Sequence, residues 1–179
     1  MLEVIFENRE GGRRFIAWRR EPDMKQPARA EQFVGTWKLV AVRAMGNDMP
    51  EEPYGAEPLG YITYTADGYM HAIVMDRNRP LVGTPMEEFI RRTGLRRLAF
   101  LSREFPALVR HTKASMKALA YSGTWEVSGH ELIHRVTASV IPDWIGTEQR
   151  RAYAFDADRL VLTSHYPGNR TAEITWQRG

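Results

Sequence analysis

Four stretches in the last third of the chain, Tyr121 to Val127, Glu131 to Val140, Thr147 to Phe155 and Arg159 to Ser164, alternate apolar and polar residues. A period of two places successive side chains on opposite faces, so each stretch reads as a strand with one buried face. They are joined at Ser128-Gly129-His130, Pro142-Asp143-Trp144 and Asp156-Ala157-Asp158. Short strands at such regular spacing restrict the chain to an all-β sandwich or barrel. Upstream, Gly60 to Thr65 and Tyr69 to Met75 flank Asp67-Gly68, a pair that predicts a two-residue type I′ hairpin turn. A first strand from about Thr36 to Ala44 and a last from Ala172 to Arg178 bring the number to eight, the last available to pair with the first.

The first strand opens with Gly35-Thr36-Trp37, directly after a short helical stretch at Ala28 to Val34. A tryptophan there plugs the narrow end of a small antiparallel barrel, and the glycine lets the chain turn beneath it; a buried strand tryptophan in a sandwich is the other reading. In a barrel, an antiparallel last strand brings the Arg178 guanidinium over the Trp37 indole.

Composition narrows the function classes. At 179 residues the chain is one domain by length, and no apolar run approaches the ~20 residues of a membrane span. Residues 1–27 read as an N-terminal extension and 28–179 as the barrel domain. Within the extension, Leu2 to Phe6 and Phe15 to Trp18 form either a docked hairpin across Glu10-Gly11-Gly12 or an appendage, and Met24 is a candidate natural start. The first residues lack the apolar core of a secretory signal. With no cysteine, disulfides, thiol catalysis and cysteine metal sites are excluded, and a cytoplasmic location is the default. A net charge of +3 is too small to argue for nucleic acid. No nucleophile elbow, phosphate loop or dinucleotide fingerprint appears, so no cofactor is expected. The histidines lack metal-ligand spacing, which disfavours a metal while leaving a distant three-histidine site open.

From about residue 79 to 118 the periodicity changes to about 3.6, with Phe89, Ile90, Leu95, Leu98, Phe100, Leu101, Phe105, Leu108 and Val109 at helical spacings. Its excess of arginines reads as a solvated face or as an attraction for an acidic ligand or membrane surface. Strands that alternate up and down from a closed end at Trp37 put this insertion across the open end. Its apolar stripe then caps the barrel, with Phe100, Leu101 and Phe105 pointing inward, or else packs against a second subunit as a homodimer.

Several stretches together resemble one family: Gly35-Thr36-Trp37-Lys38-Leu39, Gly60-Tyr61-Ile62-Thr63-Tyr64 with Asp67-Gly68-Tyr69-Met70, Tyr121-Ser122-Gly123-Thr124-Trp125-Glu126-Val127, His134 with Pro142-Asp143-Trp144-Ile145-Gly146, and Asp158-Arg159-Leu160-Val161-Leu162. From about Phe33 to Leu162 the chain is similar to the bacterial and fungal lipocalin-like domain proteins, small barrels related in plan to the lipocalins and fatty-acid-binding proteins. The N-terminal extension and the length of the insertion depart from that pattern. The resemblance implies an eight-stranded antiparallel up-and-down calyx and no single activity, since such barrels include carriers and some enzymes.

Alternation also names the interior. Tyr121, Trp125 and Val127 share one face; so do Leu132, His134, Val136, Ala138 and Val140, and so do Gln149, Arg151, Tyr153 and Phe155. Outward counting from the turns sets Trp125, His134 and Tyr153 opposite one another, with Arg151 nearer the mouth beside Val136. On the first hairpin either Ile62, Tyr64, His71 and Ile73 face inward, or Tyr61, Thr63, Met70, Ala72 and Val74 do. Candidate ligand contacts are therefore Tyr64, Met70, Tyr121, Trp125, His134, Arg151 and Tyr153 on the wall, Trp144 at the rim, and Leu101 and Phe105 from the cap. An inward guanidinium must be paired or solvated, and no inward carboxylate is evident beside Arg151. The expectation is a barrel that binds a small, mostly hydrophobic molecule whose acidic or oxygenated end is oriented by Arg151 and Tyr153. The alternative is a cofactor-independent cyclase or isomerase in which Arg151, His134 or a tyrosine polarises a carbonyl.

Overall fold

A computed structural model describes residues 29–46, 50–81, 83 and 105–179. Eight strands, β1 (Gly35–Met45), β2 (Leu59–Tyr64), β3 (Tyr69–Met75), β4 (Ala118–Ser128), β5 (Glu131–Ser139), β6 (Glu148–Asp156), β7 (Arg159–Tyr166) and β8 (Arg170–Arg178), close into a barrel in sequence order. Every neighbouring pair is antiparallel, and β8 returns to β1 with Trp37 opposite Arg178. Closure leaves no unpaired edge, which is how a sheet this long satisfies its backbone groups without a second layer. Between β3 and β4 lies helix α1 (Phe105–Met116).

The narrow end is closed by aromatic packing. A 3-10 turn at Ala30–Gln32 sets Phe33 beneath the barrel, fully buried. The Phe33 ring meets Phe155 at 4.9 Å, Tyr153 at 5.0 Å and Trp125 at 5.9 Å between centroids, and its carbonyl accepts the Trp37 indole N–H at 2.8 Å. Arg178 covers the assembly as expected. Its guanidinium carbon stands 4.2 Å from the Trp37 ring centre, and its two terminal nitrogens donate to the carbonyls of Val34 (3.1 Å) and Gln32 (2.6 Å). One side chain thus ties the entry of β1 to the exit of β8.

Two bulges decide which residues enter the core. On β1, Leu39 faces Trp176 and Ala41 faces Thr175, so Val40 is an extra residue. Trp37 and Leu39 point inward before it, Val42 and Ala44 after it. On β5, Val136 pairs with Gly123 and Ala138 with Ser122, leaving Thr137 extra. This corrects the expected inward set: Leu132, His134 and Val136 are buried, whereas Ala138 and Val140 are exposed, because the bulge exchanges the two faces beyond Val136. Gly123 makes this bulge possible. A Cβ there would lie 1.8 Å from the Arg135 carbonyl oxygen.

The first hairpin needs a similar correction. Its turn holds three residues, Ala66-Asp67-Gly68, with Thr65 N–H donating to the Tyr69 carbonyl at 2.9 Å and Gly68 alone at positive φ (+89°). That is the three-residue hairpin loop with a glycine bulge and not a two-residue type I′ turn. One extra residue shifts the pairing to Tyr64 with Met70 and Ile62 with Ala72, so Ile62, Tyr64, Met70, Ala72 and Val74 are all buried. Neither expected set was complete, since each assumed the two-residue turn.

At the wide end, buried Asp76 follows β3. Its carboxylate accepts from Lys117 Nζ at 2.6 Å and from the Asn78 backbone N–H at 2.8 Å, and its own N–H donates to the Lys117 carbonyl. These contacts pin both ends of the insertion to the barrel. The hydrogen bond from Lys117, with that from Asn78, holds the Asp76 carboxyl below its ordinary pKa. The expected N-terminal hairpin, the periodic stretch from 84 to 104 and Leu101 within it lie outside the described residues, as does the side chain of Phe105.

Two substitutions test this account by urea denaturation. Gly123→Ala should destabilise by about 1–3 kcal/mol, the usual cost of forcing atoms into a packed site; an unchanged midpoint would mean that the bulge yields freely. Arg178→Ala should cost about 1 kcal/mol, within the range of a half-exposed cation over an aromatic face, and Arg178→Lys should recover only part of it.

Candidate functional site

The inward residues sort into two halves along the barrel axis. Toward the narrow end lie Phe33, Trp37, Trp125, Phe155, Leu160 and Trp176. Toward the wide end, four neighbouring strands present a different series, because Arg151 of β6 hydrogen-bonds the Ser164 side chain of β7, Ser164 pairs with Ala172 of β8, and Ala172 with Ala44 of β1. Arg151 is 3% exposed, so a cation is buried beside a track of small side chains.

His134 sits at the boundary, 0% exposed. β5 carries it inward between Leu132 and Val136, and its register sets it opposite Trp125 on β4. Its Nε2 is 2.9 Å from the Tyr64 hydroxyl and its Nδ1 is 2.9 Å from the Tyr121 hydroxyl. Tyr121 in turn accepts from Arg151 at 3.4 Å, and a second Arg151 nitrogen donates to Ser164 Oγ. Five strands, β2, β4, β5, β6 and β7, therefore contribute to one chain of contacts running Tyr64, His134, Tyr121, Arg151, Ser164.

The electrostatics follow from burial. Desolvation, reinforced by the nearby Arg151 charge, holds the His134 imidazolium pKa well below its ordinary value, so His134 is neutral. Burial pushes the Tyr64 phenol well above 10, with Tyr121 adding to the shift, so Tyr64 keeps its proton. Arg151 stays charged because a guanidinium does not deprotonate in proteins. Among the described residues no carboxylate pairs with it. The acids of the neighbouring strands, Glu126, Glu131 and Glu148, face outward and are taken up in exposed ion pairs with Arg135 and Arg150 at 2.6–3.2 Å.

Of the expected contacts, Tyr64, Met70, Tyr121, Trp125, His134 and Arg151 are all buried in the barrel. Trp125 is engaged at the narrow end, where its indole N–H donates to the Thr65 carbonyl at 3.1 Å. Trp144 lies in a 3-10 turn (Pro142–Trp144) at the wide end, half-buried, its ring 5.4 Å from that of Tyr121. Tyr153 is displaced from the expected group. Leu132, and not Val136, faces Arg151, and His134 faces Gln149. The offset arises because β5 stops pairing with β6 near Val136 and the chain spans residues 140–147 before β6 begins. Tyr153 consequently falls at the narrow end, its hydroxyl donating to the Gly129 carbonyl at 2.9 Å. Tyr121 takes the place expected of Tyr153 beside Arg151. Ser164 was missed, although alternation from Leu160 through Leu162 points to it. Among the described residues no group of three or more histidine, aspartate or glutamate side chains is arranged to hold a metal.

The family model described as lipocalin-like domain matches residues 34–179. No curated protein matches the chain. Among solved structures, the barrel is similar to a redesigned beta barrel (9% identity over 84% of this chain and 94% of that one, TM-score 0.39). It is also similar to the wild-type fluorescent protein UnaG (17% identity over 84% of this chain and 100% of that one, TM-score 0.38).

A buried neutral histidine gives stability a defined pH dependence. Because the folded pKa of His134 lies below the unfolded value of about 6.5, the unfolded chain binds a proton that the folded barrel refuses. The stabilisation is complete above the unfolded pKa and is lost as the pH falls through the folded one. Melting temperatures measured from about pH 7.5 down to about pH 5 should decline over the lower part of this range, ahead of carboxylates such as Asp76 that act at more acidic pH. His134→Gln, which can still bond both tyrosines, should flatten the decline; an unchanged slope would assign the acid sensitivity elsewhere.

Proposed function

The chain belongs to the lipocalin-like domain family, and from that premise we propose that the wide half of its barrel binds a small, mostly hydrophobic molecule by an acidic or oxygenated end. The observation that carries this reading is Arg151, a buried guanidinium with no carboxylate partner among the described residues. An isolated buried charge costs several kcal/mol, and the hydroxyls of Ser164 and Tyr121 compensate it only in part. Its three remaining N–H groups have no further partner among the described residues. A ligand oxygen supplies what is missing. The small side chains of Ser164, Ala172 and Ala44 beside the guanidinium, and the apolar walls of Val42, Val74 and Leu162, suit a molecule that is otherwise hydrophobic.

The same donors would polarise a bound carbonyl, which is the chemistry a cyclase or isomerase needs. Turnover also requires that a proton given to substrate be replaced. Here a proton leaving Tyr121 would be made good from His134, and His134 from Tyr64, where the chain of hydroxyls ends in a buried phenol that resists ionisation. The arrangement therefore favours holding a ligand over acid–base turnover.

Native mass spectrometry of gently purified protein should show bound small molecules, and extraction should recover compounds with a carboxylate or carbonyl oxygen. Arg151→Met keeps an unbranched, flexible side chain in the interior and removes its charge. It should weaken binding of an acidic ligand by about 1.5–3 kcal/mol, the range for a hydrogen bond to a charged group, and weaken a neutral analogue less. Equal losses for both, with the variant still folded, would leave Arg151 as a structural residue.

A further inference from the structure

Counting hydrogens along the chain of contacts shows which way the Tyr121 hydroxyl points. Neutral His134 carries one N–H, and its two nitrogens face two phenols. Tyr64 is 1% exposed, its ring packs against those of Phe33 and Trp125 (6.0 and 5.0 Å between centroids), and its hydroxyl has His134 Nε2 as its hydrogen-bond partner, with no other among the described residues. If Nε2 held the proton, the Tyr64 oxygen would accept it, and the buried hydroxyl hydrogen would be left without a partner among the described residues. A stranded buried donor bears its full desolvation penalty. With the proton on Nδ1, Tyr64 donates to Nε2 and is satisfied. The Tyr121 oxygen then accepts twice, from His134 Nδ1–H and from Arg151, so both its lone pairs are occupied. Its own hydrogen is the one left over. Tyr121 is also the better place for it, being the member next to half-buried Trp144 at the wide end.

We propose that His134 is a positioning residue that fixes Tyr121 as a donor toward the ligand, so that Tyr121 and Arg151 offer donors alone between them and select an anionic oxygen, a carboxylate or an ionised enol or phenol, over an alcohol of the same shape. The proposal rests on the interior-binding reading above and adds the direction of each hydrogen bond. An alcohol can accept one bond from this array, but its own hydrogen meets a guanidinium and a hydroxyl whose lone pairs are filled. A carboxylate accepts from Tyr121 and Arg151 together and neutralises the charge. His134 itself touches no ligand; it acts by occupying the acceptor capacity of Tyr121.

Two measurements on the full-length protein test this. The first needs no ligand. Nitrogen-15 NMR of histidine-labelled protein at neutral pH should find the His134 proton on Nδ1 and Nε2 as the acceptor, and a proton on Nε2 overturns the proposal. The second uses 2-naphthoate and 2-naphthylmethanol, which share one ring system. The carboxylate should bind at least about tenfold more tightly than the alcohol, as expected for a hydrogen bond to a charged group. Tyr121→Phe should reduce that ratio, and adding 2-naphthoate to the unaltered protein should leave the His134 tautomer unchanged. Equal affinities, or a ratio indifferent to Tyr121→Phe, overturn the selection. If neither probe binds while the proton is on Nδ1, it is the interior-binding reading that fails, and the selection falls with it.

Discussion

A closed sheet has a single interior, and every polar group turned into it is either satisfied there or bears its desolvation cost. That constraint governs this barrel. Eight strands close in order, and the residues sent inward divide into an aromatic lower half and a polar upper half. In the lower half the indole N–H groups of Trp37 and Trp125 are answered by the backbone carbonyls of Phe33 and Thr65, whereas that of buried Trp176 has no partner among the described residues. In the upper half the satisfied groups are side chains, and they depend on one another. His134 makes both of its bonds with tyrosines on other strands, and Arg151 is held by a serine and one of those same tyrosines. Networks of this kind are worth most when every member is paired, and here the leftover hydrogen-bonding capacity is concentrated at Arg151 and Tyr121.

The bulges at Val40 and Thr137 give the two halves their different linings. Val40 turns Val42 and Ala44 inward near the mouth of β1, which places Ala44 in line with Ala172, Ser164 and Arg151. Were the strand regular through Val40, with no bulge, Arg43 would face the interior in place of Ala44, adding a second cation beside Arg151. Thr137 turns Ala138 and Val140 away from the interior and leaves the upper wall of β5 to Val136. Single-residue insertions thus decide whether the upper interior is small and neutral around one guanidinium or crowded and overcharged.

Much of this was legible beforehand. Alternation along Tyr121 to Val127, Glu131 to Val140 and Thr147 to Phe155 identified Tyr121, Trp125, His134 and Arg151 as inward, and the return of β8 to β1 put Arg178 over Trp37. The company each residue keeps was less legible. Counting outward from the turns groups Tyr153 with His134 and Arg151, whereas β5 leaves its partner at Val136 and the pairing slides by two inward positions. Ser164 escaped notice because a lone serine in an alternating strand carries no chemical signal until a guanidinium is set against it.

The sequence by itself determined the period-two strands and their number, because these follow from local alternation and from the positions of turn residues; the closed antiparallel order was what the family resemblance implied, and alternation alone left a sandwich open. Only the tertiary structure decided the offset of one strand against the next. Alternation specifies which face a side chain takes but is unchanged when a strand slides by two residues, and one extra residue at Gly68, Val40 or Thr137 exchanges the faces altogether. Which inward residues meet is therefore a property of register. It was register that brought Tyr64, His134, Tyr121, Arg151 and Ser164, from five strands, into one set of contacts.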